Sequence, residues 1–355
     1  MRLSWQTLGM LSALALIMLV FTLATNGTFL SPRNLSLLSR QMAVTAIVAS
    51  GMVLLIVAGQ IDLSAGAVAG LCGAVAALLS VNAGLNVPLS CAIALACGAL
   101  LGAGQGWLVA ALGIPPFIVT LGGMLIFQGV LLGLTRGVAI APPQDFLAIG
   151  QNYLSPKLTW ILAALLAAGA LARGKSLGWP KALGLAALAL SLAALFNAYE
   201  GLPFPVVLML LTAAAFWVIA AYTPFGRHLY AIGGNREAAF YAGIPIRARI
   251  IAAFTLMGAV SAAAGLVLCA RVGAATADAG KMLELDAIAA AVIGGASLLG
   301  GRGAVWGAVL GAAITASLDN GMSLLNTEAY WQPIIKGTIL VAAVCADLAL
   351  RKKRA

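Results

Sequence analysis

Long apolar runs, separated by short polar segments, recur along the whole chain and dominate its pattern. A helix of about 20 apolar residues is long enough to cross the hydrocarbon core of a bilayer. Twelve runs approach or reach that length: residues 8–24, 43–59, 65–81, 88–112, 117–134, 158–172, 182–198, 204–222, 250–270, 285–299, 303–318 and 334–350. We therefore predict an all-α polytopic membrane protein, with about 10–12 transmembrane helices in a single domain over residues 1–355.

Composition agrees with this pattern. Hydrophobic residues make up 63% of the chain and charged residues only 8%, and the mean hydropathy is +1.06. So little polar surface cannot cover a soluble globule of this size. Five cysteines lie inside apolar runs without the spacing of a metal site, and we interpret them as packing residues: Cys72, Cys91, Cys97, Cys269 and Cys345.

Basic residues divide unevenly between the two predicted sides of the membrane. With twelve crossings and a cytoplasmic N-terminus, 13 of the 20 Lys and Arg residues are cytoplasmic: Arg2, Arg173, Lys175, Lys181, Arg227, Arg236, Arg247, Arg249, Arg302, Arg351, Lys352, Lys353 and Arg354. Cytoplasmic loops retain positive charge, so we predict that both termini are cytoplasmic. A re-entrant pair of half-helices at 285–299 stays open as an alternative to a short span, although it would move the basic C-terminus outside.

The same distribution explains most of the +10 net charge. The charge therefore indicates no nucleic-acid partner, and the C-terminal basic cluster is available to anionic lipid headgroups. Small residues spaced four apart let membrane helices approach closely. Such faces are predicted at Gly66 and Gly70, at Gly98, Gly102 and Gly106, and at Gly303, Gly307 and Gly311.

One polar stretch, residues 223–246, lies between two strongly apolar runs and is called the coupling segment below. Its charged residues are costly in hydrocarbon, so we predict that it lies in water on the cytoplasmic side. We expect a turn at Gly233 and Gly234, a short helix capped by Asn235 with Glu237 in its first turn, and an end at Gly243 and Pro245. The residues nominated for contact with a partner are Gly233, Gly234, Asn235, Arg236, Glu237, Ala238, Ala239, Phe240, Tyr241 and Gly243.

The chain has no nucleotide-binding loop, no zinc-protease motif and no carboxylate pair at catalytic spacing, so we predict no enzymatic activity and no cofactor of its own. Neutral polar residues within or beside the apolar runs are candidates for a solute path: Ser50, Gln60, Gln105, Gln128, Ser261 and Asn320. Hydrogen bonding between helices is the simpler explanation of each one. Asp62, Glu284, Asp286 and Asp319 lie near predicted helix ends, which disfavours an ion-coupled carrier without excluding it.

Five segments together resemble one family of membrane proteins. GRHLYAIGGNREAAFYAGI at 226–244 resembles the coupling segment of permease subunits of the ribose/xylose/arabinose class of ABC sugar importers, with Glu237, Ala238, Ala239 and Gly243 matching its EAA pattern. GQIDLSAG at 59–66, PPFIVTLGGMLIFQG at 115–129, DAIAAAVIGGASLLGGRGAVWGAVLGA at 286–312 and ASLDNGMSLL at 316–325 resemble that class in the same order. YWQPIIKG at 330–337 and the extra pair of runs at 158–198 resemble xylose permeases in particular.

The resemblance implies a bacterial inner-membrane importer for a neutral monosaccharide, foremost D-xylose. It implies that two copies form a homodimer, that a separate ATPase subunit binds the ATP and docks on residues 233–243, and that a periplasmic sugar-binding protein delivers the solute. Arg236 and Glu237 would then set the polar register of docking, while Phe240 or Tyr241 fills an apolar socket. Segments 135–157 and 271–284 are expected to receive the binding protein. A secondary sugar carrier that works without an ATPase stays open as the alternative.

Overall fold

A computed structural model describes residues 5–328 and 330–352. Every predicted apolar run contains a helix, and no β-strand is formed in the described ranges. The helices are α1 (Trp5–Ala24), α2 (Pro32–Val57), α3 (Ala65–Val81), α4 (Val87–Leu112), α5 (Pro116–Thr135), α6 (Gln144–Gln151), α7 (Pro156–Ala172), α8 (Gly174–Leu177), α9 (Trp179–Asn197), α10 (Phe204–Tyr222), α11 (Pro224–Gly234), α12 (Arg236–Tyr241), α13 (Ile246–Val272), α14 (Leu283–Ile293), α15 (Val305–Leu324) and α16 (Trp331–Lys352). A 3-10 turn, Thr28–Leu30, joins α1 to α2.

Among the residues that the structure describes, six helices are long and apolar enough to cross a membrane by length and composition, namely α2, α4, α5, α9, α10 and α13. Shorter apolar helices cover residues 8–24, α3 and α7. The prediction of an all-α polytopic membrane protein is therefore confirmed. Arg2 and the residues from Lys353 onward, which entered the charge count, lie outside the described residues, as does the side chain of Cys345.

The start of α2 and the end of α14 differ from the sequence prediction. We expected residues 26–41 to connect α1 and α2, but α2 already begins at Pro32, because Ser31 Oγ accepts a hydrogen bond from the Asn34 amide at 3.4 Å. Proline is favourable in the first turn of a helix, where its missing N–H is not needed. The run at 285–299 forms one helix, α14, which ends at Ile293, and residues 294–304 after it are not helical.

Contacts define two ends of the molecule. At the coupling end, Gly301 N donates to Val57 O at 2.8 Å, and Tyr230 Oη donates to Gly303 O at 2.7 Å. At the opposite end, Asn34 and Asn320 exchange two side-chain hydrogen bonds of 2.8 and 3.0 Å. α2 and α15 thus run antiparallel between the two ends. α14 also runs antiparallel to α15, because Gly294 packs on Gly307 and Ala290 on Gly311.

The core is built around α2 and α13, and glycines allow the backbones of α4 and α13 to touch. A Cβ at Gly102 would overlap the carbonyl oxygen of Phe254, and one at Gly258 would overlap that of Gly98. On α3, a Cβ at Gly70 would overlap the carbonyl oxygen of Ala279. The predicted small-residue faces therefore do form close helix contacts, which is the packing that van der Waals attraction favours inside a membrane.

The helices α7 and α9 form a hairpin that packs mainly on itself through small residues, including Ala163, Ala167 and Ala186, which are buried. Large leucines on its outer surface are exposed. The residues just before α7 and just after α9 meet at the opposite end of the molecule, where Leu154 N donates to Leu202 O at 2.8 Å. The hairpin is therefore attached to the remaining helices chiefly at its base.

A charged cluster joins the last three helices, and the sequence pattern did not reveal it. Lys336 Nζ on α16 lies 2.9 Å from a carboxylate oxygen of Asp286 on α14 and 2.9 Å from one of Asp319 on α15. These side chains are between 14% and 23% exposed. Because charged groups inside a membrane domain are stable when paired, the cluster fixes α16 against α14 and α15.

Candidate functional site

The coupling segment is a helix–turn–helix. α11 begins after Thr223, whose Oγ1 accepts from Gly226 N at 3.2 Å, and its side chains Leu229 and Ile232 are buried against the membrane helices. α12 follows as a helix of six residues, and Asn235 Oδ1 caps it by accepting from Ala238 N at 2.9 Å. The predicted cap at Asn235 is therefore confirmed.

The predicted Gly-Gly turn is wrong. Gly233 and Gly234 lie in the last turn of α11, and the chain instead changes direction at Asn235, whose φ is −157°. The glycine at 233 has a packing role, because a Cβ there would overlap the Val57 carbonyl oxygen and lie 2.8 Å from Gly301 N. A Cβ at Gly234 would meet nothing within 4 Å. Gly233 thus allows α11 to touch the end of α2 and the loop before α15.

The end of α12 matches the prediction. Gly243 has φ +76° and its N–H donates to Phe240 O at 2.9 Å, after which Ile244 N donates to Ala239 O at 3.1 Å. A left-handed residue after the last helical turn usually is glycine, because a Cβ there is strained. The buried Ala239 holds α12 on the molecule, while the rest of its surface faces outward.

Two aromatic side chains project from α12. Phe240 is 67% exposed and Tyr241 is 85% exposed, and their rings meet edge to face with centroids 5.8 Å apart. A groove of about 1060 Å³ runs beside them, lined by Ala110–Gly113 of α4, by Arg236 and Glu237, and by residues 244–248. Exposed aromatic residues beside a groove are typical of a protein interaction site.

A hydrogen bond from the side chain of Tyr230 links the coupling segment to the membrane helices. Tyr230 Oη donates to Gly303 O at 2.7 Å, next to the positive-φ residues Gly300 and Gly301, which pack on Gly233. Burial raises the pKa of Tyr230 above its usual 10.0, so the phenol stays protonated and keeps donating. α11, the end of α2 and the start of α15 are therefore linked as one unit.

The six nominated path residues do not form one cluster. Ser50 Oγ donates within its own helix to Ala46 O at 2.7 Å, and Ser261 is fully buried with an Oγ that has no partner among the described residues. Asn320 pairs with Asn34 at the opposite end. None of these contacts involves Gln60, Gln105 or Gln128.

Gln105 belongs to a buried polar cluster at the break between α2 and α3. Its Nε2 donates to Ser64 Oγ at 2.8 Å, and Ser64 Oγ and N both donate to Asp62 Oδ1, at 2.6 and 2.7 Å. Gln60 is buried in the same non-helical segment, and its Oε1 has no partner in the part of the chain described. Broken helices with unwound backbone form the solute sites of many secondary transporters.

Sequence reasoning missed Glu284 as a member of this region. Glu284 is 6% exposed, and a Cβ at Gly66, two residues after Ser64, would overlap its Oε2. Over residues 5–328 and 330–352, neither Asp62 nor Glu284 has a basic partner within salt-bridge distance. The sequence contains no signal that brings Glu284 to this region, because it lies far from residues 62–66 in the chain.

Comparisons with known proteins agree over almost the whole chain. The family described as branched-chain amino acid transport system / permease component matches residues 34–344. The chain is 44% identical to the xylose transport system permease protein XylH of Escherichia coli (strain K12), over 99% of this chain and 94% of that protein. It is 43% identical to XylH of Haemophilus influenzae, over 97% and 96%, and 35% identical to the ribose import permease protein RbsC of Bacillus subtilis, over 99% and 94%. No solved structure gave a significant match.

Proposed function

Because this chain belongs to the family of branched-chain amino acid transport system permease components, we propose that it is the membrane subunit of an ATP-driven ABC importer. The proposed solute is a neutral monosaccharide, foremost D-xylose, since relatives at 43% and 44% identity are named xylose permeases and a ribose permease is 35% identical. The proposed site is the inner membrane of a bacterial cell, with both termini cytoplasmic.

One observation carries the proposal for coupling. The short helix α12 presents Phe240, Tyr241, Arg236 and Glu237 outward beside a groove. The preceding helix, α11, packs at Gly233 on the end of α2 and on the loop that leads into α15. A partner that grips α12 would therefore move these two helices with it as a rigid body. We propose that this partner is a separate ATPase subunit, which binds the ATP that the permease itself does not bind.

The remaining proposed partners are a second copy of the chain, a periplasmic sugar-binding protein and membrane lipid. Two copies would form the pore, and the binding protein would deliver sugar to segments 135–157 and 271–284. In the structure these two segments are joined at the opposite end, where Ile140 and Ala275 exchange backbone hydrogen bonds of 2.9 Å. A landing surface made from both segments is compatible with that contact.

Charge reversal on α12 tests the coupling. Glu237→Arg should leave the permease in the membrane but reduce co-purification of the ATPase subunit and abolish ATP-driven sugar uptake. Gly243→Trp should have the same three effects, because it strains the end of α12. Glu200→Arg is the matched control, because Glu200 is also exposed but lies at the opposite end, between α9 and α10. Normal uptake with Glu237→Arg would refute a coupling role for α12.

A second function, the ion-coupled secondary sugar carrier, is favoured by one observation. The buried carboxyl groups of Asp62 and Glu284 have no basic partner among the residues described, which is an arrangement found in cation-driven carriers. This alternative predicts sugar uptake by the purified chain alone, in proteoliposomes with an ion gradient and no ATP. Uptake that strictly needs the ATPase and ATP would exclude it.

A further inference from the structure

The hairpin tip, residues 173–181, lies between α7 and α9 on the side of the coupling segment. The start of α7 and the end of α9 meet at the opposite end, where Leu154 N donates to Leu202 O at 2.8 Å. The two helices contain 17 and 19 residues. At 1.5 Å per residue each is about 26–29 Å long, which is close to the roughly 30 Å thickness of the hydrocarbon core. The hairpin tip therefore reaches the boundary between hydrocarbon and water.

The hairpin tip is a tight turn with an aromatic ring on it. The short helix α8 ends at Gly178, whose φ is +87° and whose N–H donates to Gly174 O at 2.9 Å. The ring of Trp179 packs on Gly174, where an added Cβ would lie 2.9 Å from the ring, and the rest of Trp179 is exposed. Tryptophan is enriched at the headgroup level of membranes, so Trp179 agrees with a position at this boundary.

Three basic residues, Arg173, Lys175 and Lys181, are exposed at the hairpin tip. The chain contains no Asp or Glu between Asp145 and Glu200, so the hairpin itself carries no negative side chain. Among the described residues, neither Arg173 nor Lys175 forms a salt bridge. The hairpin tip is therefore a concentrated positive charge that the hairpin does not neutralise.

Exposed leucines lie directly beside this charge. Leu171 is in the last turn of α7 and Leu183 is in the second turn of α9, and both are exposed. A soluble anion would match the basic residues alone. A phospholipid matches both features, because an anionic headgroup pairs with the basic side chains while its acyl chains cover the leucines.

We infer that the hairpin tip binds the headgroup of an anionic phospholipid in the cytoplasmic leaflet, with Arg173 and Lys175 contacting the phosphate. The inference rests on the proposed cytoplasmic position of the coupling segment. Each Lys or Arg near a negative membrane surface strengthens binding by about fivefold. Because the hairpin is attached to the remaining helices chiefly at its base, a bound lipid would hold it at a second point, a membrane thickness away.

Quenching by brominated lipid tests this contact. The permease carries Ser176→Cys, labelled with a bimane fluorophore, in a background whose five native cysteines are replaced by alanine. It is placed in phosphatidylcholine nanodiscs with increasing fractions of brominated phosphatidylglycerol or, in a parallel series, of brominated phosphatidylcholine. Both lipids carry bromine near the headgroup end of their acyl chains. We expect half-maximal quenching at an at least fivefold lower mole fraction of phosphatidylglycerol.

Charge variants then identify the residues that select the lipid. Arg173→Gln and Lys175→Gln should each reduce the preference for phosphatidylglycerol by about two- to fivefold. Arg173→Lys and Lys175→Arg keep the charges and should preserve the preference. Lys157→Gln is the matched control, because Lys157 is exposed on the same hairpin but at its base, and it should change nothing.

Four outcomes would overturn the inference: equal quenching by the two lipids, no quenching by either, a preference that Arg173→Gln and Lys175→Gln together leave intact, and quenching that disappears when the ATPase subunit is added. The last outcome would make the hairpin tip a protein contact. The measurement needs neither ATP nor sugar, so it reports on lipid binding alone. Failure of ATP-driven uptake by the unmodified chain would instead count against the proposed function.

Discussion

Adding one methyl group at Gly233 is the sharpest test of how the coupling segment is attached. In Gly233→Ala the new Cβ would overlap the Val57 carbonyl oxygen and crowd Gly301 N at 2.8 Å, and both are backbone atoms that cannot swing aside. Either α11 moves away from α2 and the loop before α15, or that loop moves. The hydrogen bonds from Gly301 N to Val57 O and from Tyr230 to Gly303 O lie in the same contact and would be strained with it.

The magnitude follows from overpacking. Forcing an extra methyl group into a well-packed site costs about 1–3 kcal/mol. If that free energy is lost from the attachment of the coupling segment, the equilibrium between attached and detached forms shifts by roughly 5- to 150-fold. The neighbouring variant Gly234→Ala adds the same methyl group where nothing lies within 4 Å, so we expect it to be neutral or slightly stabilising.

The assay compares these two variants with the unmodified protein. Thermal unfolding in detergent measures stability, and ATP-driven uptake in proteoliposomes with the ATPase and the binding protein measures transmission. We expect Gly233→Ala to unfold at a lower temperature and to lose most of its uptake, while Gly234→Ala matches the unmodified protein in both. If the two variants unfold at the same temperature and take up sugar at the same rate, the close contact of Gly233 does not attach the coupling segment.

Three further variants test separate contacts. Asn235→Ala should raise the rate of hydrogen exchange at the Ala238 amide by about fivefold, because an N-cap contributes about 1 kcal/mol. Asn235→Asp keeps a capping oxygen and should leave that rate unchanged. Equal exchange rates in the two variants would refute the cap. Lys336→Met should lower the midpoint of thermal unfolding because it leaves Asp286 and Asp319 unpaired. The loss of unfolding free energy should be smaller than the about 3–5 kcal/mol of a fully buried pair, since these groups are 14–23% exposed. Asp286→Asn in the same chain should restore part of the lost stability. Tyr230→Phe should cost about 0.5–1.5 kcal/mol below pH 10, measured by denaturant titration. Because burial raises the pKa of Tyr230, this difference from the unmodified protein should shrink as pH rises beyond 10, and a constant difference would contradict it.

Much of the fold could be predicted because hydrophobic runs in a membrane protein map directly onto helices. The range of α10 was predicted without error, and so was the cap at Asn235, because both depend on residues close together in the chain. The start of α2 was missed because polar residues in its first turns hid a helix that Ser31 and Pro32 begin. The hydrophobic pattern therefore predicts which segments are helical, but it predicts helix ends made of polar residues less well.

The candidate sites depend more on contacts between distant segments, which the pattern does not contain. Gly233 was interpreted as a turn residue, since nothing in the sequence places Val57 and Gly301 beside it. Lys336 likewise meets Asp286 and Asp319 only after three helices pack. Gln60, Gln105 and Gln128 could be nominated as polar residues in apolar surroundings, but the hydrogen bond between Gln105 and Ser64 needed the structure.

The attachment of the α7–α9 hairpin has a consequence for the architecture of related chains. Its two bases are already bridged by the backbone hydrogen bond from Leu154 to Leu202, so excising the hairpin would leave ends that a short turn can rejoin. Ten of the twelve predicted apolar runs would remain and would keep their alternating directions, since removing two crossings preserves the sidedness of everything downstream. The helices α7 and α9 therefore form a structurally separable insertion, whose removal would leave most contacts among the other helices in place.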